Sequence, residues 1–478
     1  MTDRTTAEPR NVVLLSIDAL RADHLSYHGY DRTTSPFLDS LTDRTANFRT
    51  AISASSHTRE AMPALLTGQY PDIFGQNGYR LVAESVATML SAREYRTAGF
   101  HSNPYLSRAY GYDDGFDAFF DDLVLGRNRL VALAQRALSK FVFKRGRYHV
   151  RAAELNRRSL EWLDSLDRPA TPSASDPTDP EPIFLWNHYM DVHGPYNPPG
   201  DYSYADQEPS DGDAQALYQK CIKRPEAITE SERRLLVDLY DGEIRYLDAQ
   251  IEAFFEELTE RGLLKESLVI LTADHGDGFG EHGYYTHPRQ LHEELLAVPL
   301  LISLPGTAGA ARIDTPVSTL DIVPTILDFV GGDASALPGT SLLNLLAESE
   351  PGSGSASESH PGVVYSSARL EDENGNDRDV VRFAARDERS KHVLDRHIDT
   401  GKVTNEQSFD LTVDRLEREP IEVGLESTPT EGRFEELRSR LREHSATRLR
   451  EGDPSIGPDV ETETTEEIED RLEALGYK

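Results

Sequence analysis

The sequence contains almost no cysteine and no long apolar segment. Cys221 is the single cysteine among 478 residues, so the chain cannot form an internal disulfide. No run of about 18 apolar residues occurs, and we therefore expect no transmembrane helix. Residues 1–10 also lack the apolar stretch of a signal peptide. These absences predict a cytoplasmic protein.

Lysine is scarce as well. Eight lysines accompany 42 arginines, and 83 acidic residues give a formal net charge of −33. This balance is typical of a halophile surface, where hydrated carboxylates keep a protein dissolved in concentrated salt. It argues against binding to nucleic acid, whose phosphates the surface would repel. In molar salt the Debye length falls to about 3 Å, so an anionic substrate is not excluded.

Two apolar segments each end near a carboxylate. Residues 11–17 precede Asp18, and residues 267–271 run into Asp274 and His275 within a glycine-rich turn. Buried strands of an open α/β sheet commonly present functional residues at their carboxyl ends. If these two strands are neighbours, the three side chains form a divalent-cation site of carboxylate oxygens and one imidazole. The alternative for either aspartate is a turn cap.

A third segment lies between these two. Residues 55–71 place Thr58 ten residues before Gly68 of a Leu-Thr-Gly-x-Tyr-Pro signature. With the three segments in this order, residues 11–345 resemble the sulfatase branch of the alkaline-phosphatase superfamily. The resemblance implies an alkaline-phosphatase-like α/β/α sandwich with a mostly parallel central sheet and a small C-terminal α+β subdomain. It also implies that Asp18, Asp274 and His275 are metal ligands and that Thr58 occupies the nucleophile position.

The chain departs from the family pattern at the nucleophile. Sulfatases carry a Cys or Ser there, within a Cys/Ser-x-Pro-x-Arg motif that is oxidised to formylglycine. Here Thr58 is followed by Glu60 at the Pro position and Met62 at the Arg position, and Ala19 replaces a second aspartate. Oxidation of threonine would give a ketone, so formylglycine is not expected. We expect Thr58 to act unmodified, as nucleophile and fourth ligand of one divalent ion, Ca²⁺, Mn²⁺, Mg²⁺ or Zn²⁺.

Further residues are assigned by the same resemblance. His193, in a His-Gly-Pro-Tyr turn after an apolar strand, matches a histidine that contacts the substrate oxyanion. His287 stands where relatives have a Lys or His that binds the transferred group or protonates the leaving oxygen. Arg59 and Asn103 are candidate substrate-binding residues, although an Asn-Pro turn is an equal alternative for Asn103. A packed strand histidine is an equal interpretation of His188, which is left out of the predicted site.

The predicted organisation has two parts. Residues 1–347 form the catalytic domain, with a basic helical insertion at about 124–160 and a loop at 167–182. A linker at 348–362 precedes a subdomain at 363–478 that ends in a helix. Residues 127–158 hold ten Lys or Arg and one acid among apolar residues. This stretch indicates either peripheral contact with the inner face of a membrane, or arginines that pair with the protein's surplus acids.

The sequence therefore predicts a metal-dependent hydrolase of sulfate or phosphate esters that uses Thr58 as nucleophile. One alternative is a transferase that moves the phospho or sulfo group to a lipid or glycan acceptor. Another is a non-catalytic protein that binds anions and has lost turnover along with the formylglycine motif.

Overall fold

The computed structural model describes residues 11–75, 77–122, 149–166, 181–306, 310–348, 360–371, 377–421, 429–451, 471–472 and 475. Its strands are β1 Asn11–Ile17, β2 Ala46–Ile52, β3 Arg96–Phe100, β4 Ala118–Phe120, β5 Ile183–Tyr189, β6 Ser267–Ala273, β7 Gly278–Phe279, β8 Tyr285–Thr286, β9 Ala297–Ser303, β10 Ala311–Ile313, β11 Val317–Ser318, β12 Val364–Glu371, β13 Asp377–Arg386, β14 Ser390–His397 and β15 Val403–Asp410. Its α-helices are α1 Pro36–Leu41, α2 Thr58–Thr67, α3 Asp72–Gly75, α4 Val86–Ser91, α5 Ala152–Asp164, α6 Asp211–Lys223, α7 Glu230–Glu260, α8 Glu293–Leu296, α9 Ile322–Phe329, α10 Leu343–Glu348 and α11 Pro429–Glu451.

A mixed, mostly parallel sheet forms the centre of the molecule. Its strand order is β10-β2-β9-β6-β1-β5-β3-β4, with β11 added beside β2. Strand β9 runs antiparallel to both β2 and β6, while β1 is parallel to β5 and β6. The strands β1, β5 and β6 are buried along their whole length, as expected when helices cover both faces of a sheet. The predicted α/β/α sandwich is confirmed.

A second, smaller sheet follows in the chain. Strands β12 to β15 form an antiparallel meander, and Leu437 and Leu441 of α11 pack against Phe383 and Leu394 of this sheet. The predicted C-terminal α+β subdomain is thus present. Most of the predicted linker and terminal helix lies outside the described residues. Within the last stretch, Leu472 and Leu475 are described and both are buried. The exact domain limits stay a prediction.

Hydrogen bonds connect the C-terminal sheet directly to the segment that carries Thr58. The Ser367 amide donates to the Ala54 carbonyl at 2.9 Å, and the Arg369 amide donates to Glu60 Oε1 at 3.1 Å. Glu60 is buried in the first turn of α2, so β12 helps to set the position of that turn.

The basic stretch is described only in part, since residues 123–148 lie outside the described ranges. Arg151 contacts Glu243 at 2.5 Å and Asp191 at 3.5 Å. Arg157 and Arg158 on α5 both pair with Glu154. For these three arginines the structure favours pairing with the protein's acids. No described helix has the length and apolar character needed to span a membrane.

Candidate active site

The site lies at the carboxyl ends of the central strands β5, β1 and β6. In the sheet register Ile17 of β1 is level with Ala273 of β6 and Tyr189 of β5. The residue after Ile17 is Asp18, and the residue after Ala273 is Asp274. The Asp18 amide donates to the Tyr189 carbonyl at 2.8 Å, which extends this alignment beyond the strand end. The strand pairing therefore brings the two predicted aspartates together.

Asp18, Asp274 and His275 form a compact buried cluster. Nε2 of His275 lies 3.8 Å from Asp18 Oδ1 and 3.5 Å from Asp274 Oδ2. All three side chains are fully buried, and neither of those carboxylate oxygens has a hydrogen-bond partner. Buried oxygens without a donor are unfavourable unless something else contacts them. The donor set, two carboxylate oxygens and an imidazole nitrogen, fits a divalent cation.

The two carboxyl groups influence each other's charge. Burial opposes ionisation of Asp18, but His193 and His188 outweigh it and hold the pKa of Asp18 far below its usual range. Burial, and then the Asp18 charge, raise the pKa of Asp274. Two adjacent buried carboxylates repel, and a bound cation would relieve that repulsion.

Thr58 begins helix α2 and points at this cluster. Its Oγ1 lies 2.9 Å from His275 Nε2. The other ring nitrogen of His275, Nδ1, lies 2.8 Å from the Gly276 carbonyl, which can only accept. When the His275 ring is neutral, its proton is therefore on Nδ1 and the Thr58 hydroxyl donates to Nε2. In this tautomer Nε2 carries no proton, as metal binding requires.

Two side chains hold the second oxygen of Asp18. Asn103 Nδ2 donates to Asp18 Oδ2 at 2.8 Å, and His188 Nε2 lies 3.3 Å from the same atom. His188 is fixed in turn by Ser16 Oγ, 2.9 Å from its Nδ1. His188 is thus part of the site, not only a packed strand residue. Asn103 orients Asp18, and its contact with an ester stays a prediction.

His193 and His287 meet above the cluster. Their ring centroids are 5.0 Å apart, and the His287 ring is 4.6 Å from the ring of His275. Burial lowers the pKa of His193 to about 4, so this imidazole is neutral at neutral pH. Burial also opposes protonation of His287, but a hydrogen bond to Asp277, 3.2 Å away, prevails and raises its pKa. Of the two predicted histidines, His193 therefore favours the neutral form and His287 favours the protonated form.

His57 is a site residue that the sequence reasoning passed over. It caps α2, with its Nδ1 accepting from the Arg59 amide at 3.2 Å, and its ring centroid lies 5.5 Å from that of His287. Burial holds its pKa well below the usual value. In the sequence, its position directly before Thr58 is the feature that could have indicated a place in the site.

Arg59 follows Thr58 in the first turn of α2. Its guanidinium carbon is 3.8 Å from the ring centre of Tyr79 and 5.0 Å from that of Tyr105. Its Nε is buried without a hydrogen-bond partner, and no salt bridge to it is present within the described part of the chain. In a protein with 83 acidic residues, this cation is well suited to receive an anionic ligand.

Comparisons with known proteins identify the family to which the chain belongs. The sulfatase family model matches residues 10–332. An arylsulfatase of Clostridium perfringens is 24% identical over 389 residues, covering 71% of this chain and 78% of that protein. Lipoteichoic acid synthase 2 of Bacillus subtilis is 25% identical over 349 residues, covering 68% of this chain and 46% of that protein.

Solved structures share the fold at lower identity. The phosphonate monoester hydrolase of Agrobacterium radiobacter superposes with a TM-score of 0.68 at 20% identity, covering 91% of this chain and 96% of that chain. A sulfatase from Bacteroides fragilis superposes with a TM-score of 0.65 at 17% identity, covering 94% and 100%. The chain belongs to the sulfatase family of the alkaline-phosphatase superfamily and is a hydrolase of sulfuric or phosphoric esters.

Proposed function

We propose that the protein is a metal-dependent hydrolase of sulfate or phosphate esters in which Thr58 is the nucleophile. The observation that carries the proposal is the 2.9 Å approach of Thr58 Oγ1 to His275 Nε2, inside a cluster in which Asp18 Oδ1 and Asp274 Oδ2 lack donors. A hydroxyl at this place can attack a sulfur or phosphorus atom held over the cluster.

Asp18, Asp274 and His275 would hold the divalent ion, with Thr58 as the fourth ligand. When bound, the ion supplies positive charge that favours the ionised form of the Thr58 hydroxyl and balances the ester oxygens. Asn103 and His188 keep the Asp18 carboxylate in one orientation through its second oxygen. Threonine stands at the nucleophile position in place of Cys or Ser, so the proposed chemistry proceeds without formylglycine.

The ester anion is bound by groups around Thr58. The helix α2 begins at Thr58, and the partial positive charge of its N-terminus favours an anion there. The guanidinium group of Arg59 adds a full positive charge beside the same anion. His193 donates Nδ1–H to the Gly194 carbonyl at 2.6 Å, so it contacts an anionic oxygen through Nε2 when that atom is protonated, a state that a bound anion favours.

His287 is the proposed general acid. Asp277 accepts from its Nδ1 at 3.2 Å and fixes the orientation of the ring. The raised pKa of His287 keeps a proton available near neutral pH, which suits protonation of a leaving alkoxide or phenoxide.

The proposal is tested by turnover in concentrated salt, which the acidic, lysine-poor composition leads us to propose as the working solvent. p-Nitrophenyl sulfate, p-nitrophenyl phosphate and p-nitrophenyl phenylphosphonate are each supplied with Mn²⁺, Zn²⁺, Mg²⁺ or Ca²⁺. We expect hydrolysis of at least one ester, reduced by at least about 10³-fold in Thr58→Ala. Thr67→Ala, at the other end of the same helix, is the matched control and should retain turnover. Full activity in Thr58→Ala would refute the role of this residue.

A transferase is the second candidate, and the similarity to lipoteichoic acid synthase 2 over 349 residues is the observation that raises it. Product that forms only with an added acceptor alcohol, without release of free phosphate or sulfate, would identify it. Binding of sulfate or phosphate to metal-loaded protein, without turnover of any kind, would identify the anion-binding alternative. Cytoplasmic location, peripheral membrane contact and lack of nucleic-acid binding remain predictions.

A further inference from the structure

Tyr79 is a buried tyrosine that contacts two arginines of the active-site region. The guanidinium carbon of Arg59, the residue after Thr58, lies 3.8 Å from the centre of the Tyr79 ring, which is a cation–π distance. Nη1 of Arg289, two residues after His287, donates to the Tyr79 hydroxyl at 2.7 Å. The tyrosine therefore connects the segment of the proposed nucleophile with the segment of the proposed general acid.

The two arginines differ in what balances their charge. Arg289 Nη2 lies 3.1 Å from the Glu371 carboxylate, and its Nη1 also donates to a backbone carbonyl of β12 at 3.1 Å. Arg59 has aromatic neighbours instead, the Tyr79 ring and, at 5.0 Å, the Tyr105 ring. Among the described residues no carboxylate pairs with Arg59, and its buried Nε lacks a hydrogen-bond partner. Arg289 thus carries a balanced charge, whereas the charge of Arg59 is not balanced by a neighbouring acid.

Aromatic rings can hold a guanidinium group in place without occupying its donors. The group is planar and has five N–H donors, and a cation–π contact requires none of them to pair with an acceptor. A carboxylate partner would occupy two of these donors and cancel the charge. In a chain with 83 acidic residues, the rings of Tyr79 and Tyr105 therefore hold Arg59 in a form that can still bind an anion.

The backbone of Tyr79 is in the left-handed region, with a φ of 60°. Bulky residues rarely adopt this conformation, and residues that do so cluster at functional sites. The Tyr79 amide donates to the Phe74 carbonyl at 2.9 Å, a backbone contact that glycine or asparagine could make equally well. The turn alone therefore does not account for a tyrosine here, whereas the contacts of its ring with Arg59 and of its hydroxyl with Arg289 do.

We propose that Tyr79 is a positioning residue that holds the Arg59 guanidinium for the substrate anion, and that Arg289 fixes Tyr79 through its hydroxyl. The inference rests on the proposed function, in which Arg59 contacts the ester anion. It gives a role to two residues outside the proposed catalytic and metal-binding set. Because a bound anion is present before and during the reaction, Tyr79 should affect anion affinity more than the chemical step.

The test measures anion affinity on the full-length, metal-loaded protein in concentrated salt. Inorganic sulfate and phosphate are titrated by calorimetry, and KM and kcat are measured with the p-nitrophenyl ester that wild type hydrolyses. Tyr79→Asn removes the ring and inserts a residue that tolerates the left-handed backbone. We expect the dissociation constant and KM to rise about 5- to 30-fold, the range of a cation–π contact, and kcat to change less than about 3-fold. Tyr79→Phe keeps the ring, so its KM should rise less than about 3-fold.

A double-mutant cycle separates positioning of Arg59 from a general structural role. Arg59→Gln should itself weaken anion binding, and adding Tyr79→Asn to it should weaken binding less than about 2-fold further. A residue that only supported the fold would cause the same loss in both backgrounds. Tyr204→Asn is the matched control, because Tyr204 lies under Arg32 and Arg245, at 5.2 Å and 5.7 Å, outside the proposed site. This control should leave anion affinity and KM unchanged.

The outcomes distinguish this inference from the proposed function. Non-additive losses, with thermal unfolding midpoints close to that of wild type, support the inference. Additive losses, no loss, or a Tyr79→Asn protein that does not fold overturn the inference and leave hydrolysis by Thr58 standing. If wild type hydrolyses no ester, the proposed function fails, and the sulfate and phosphate titrations alone decide the inference. A wild-type protein that binds neither anion overturns the inference as well.

Discussion

Asp18→Asn separates the contribution of Asp18 to metal binding from its contribution to folding. The side chain is fully buried, its Oδ2 is held by Asn103 and His188, and its Oδ1 has no partner. An asparagine can place its carbonyl oxygen at the Oδ2 position and still accept from Asn103. The change removes a carboxylate whose ionised form, although opposed by burial, is stabilised by His193 and His188, which hold its pKa far below the usual range. Without metal, we therefore expect the variant to be less stable than wild type at neutral pH.

The loss of stability should be larger when metal is bound. A cation at 1,000 times its dissociation constant stabilises the folded protein by about 4 kcal/mol. Loss of a ligand carboxylate should weaken metal affinity by at least about 100-fold, since substitution of residues that only contact a ligand already weakens it 10- to 100-fold. At the same cation concentration the remaining stabilisation is about 1.4 kcal/mol, or roughly one third of the original.

Thermal unfolding, followed by circular dichroism in concentrated salt, measures both effects. Each protein is melted with a chelator and again with a fixed excess of Mn²⁺, and the rise in midpoint is compared. We expect the rise in Asp18→Asn to be about one third of the wild-type rise. Asp201→Asn, an exposed change that removes the same charge, should show the full rise. An undiminished rise in Asp18→Asn would refute the assignment of Asp18 as a ligand.

Two further predictions concern pH. Burial opposes ionisation of Glu294, but hydrogen bonds from His282 and Tyr284 prevail and hold its pKa at about 2, below the ordinary value of 4.5. A carboxyl group with a depressed pKa stabilises the fold above pH 4.5, and this stabilisation is lost as the pH falls toward 2. Glu294→Gln should therefore be less stable than wild type by about 3 kcal/mol at neutral pH and equally stable near pH 2. Chemical denaturation at the two pH values measures the difference. Asp277→Asn should lower the raised pKa of His287 and move the alkaline limb of the kcat profile to lower pH. An unchanged limb would argue against His287 as the general acid.

The ends of the strands could be predicted because the sequence itself marks them. Residues 11–17 and 267–271 are largely apolar runs that end shortly before Asp18 and Asp274. In the structure the second strand continues two residues further, to Ala273. Asp18, Asp274 and His275 follow from that pattern together with the expectation that the strands are neighbours, which the pairing of β1 with β6 confirms. Local signals were sufficient for these three positions.

The roles of residues that depend on strand register or on distant loops could not be predicted from the sequence. His188 reaches Asp18 because β5 pairs with β1 so that Ser16 is level with His188, a contact between residues 172 positions apart. Asn103, in the loop after β3, donates to Asp18, a contact between residues 85 positions apart.

The most direct test of Thr58 as nucleophile is mass spectrometry of the protein quenched with acid during turnover. Metal-loaded wild type and Thr58→Ala are each mixed with the preferred ester, stopped within milliseconds and digested. The account predicts a phosphoryl or sulfuryl group on the wild-type peptide that contains Thr58, absent when a chelator is added and absent in the variant. An adduct on a different residue, or turnover retained by Thr58→Ala, would contradict it.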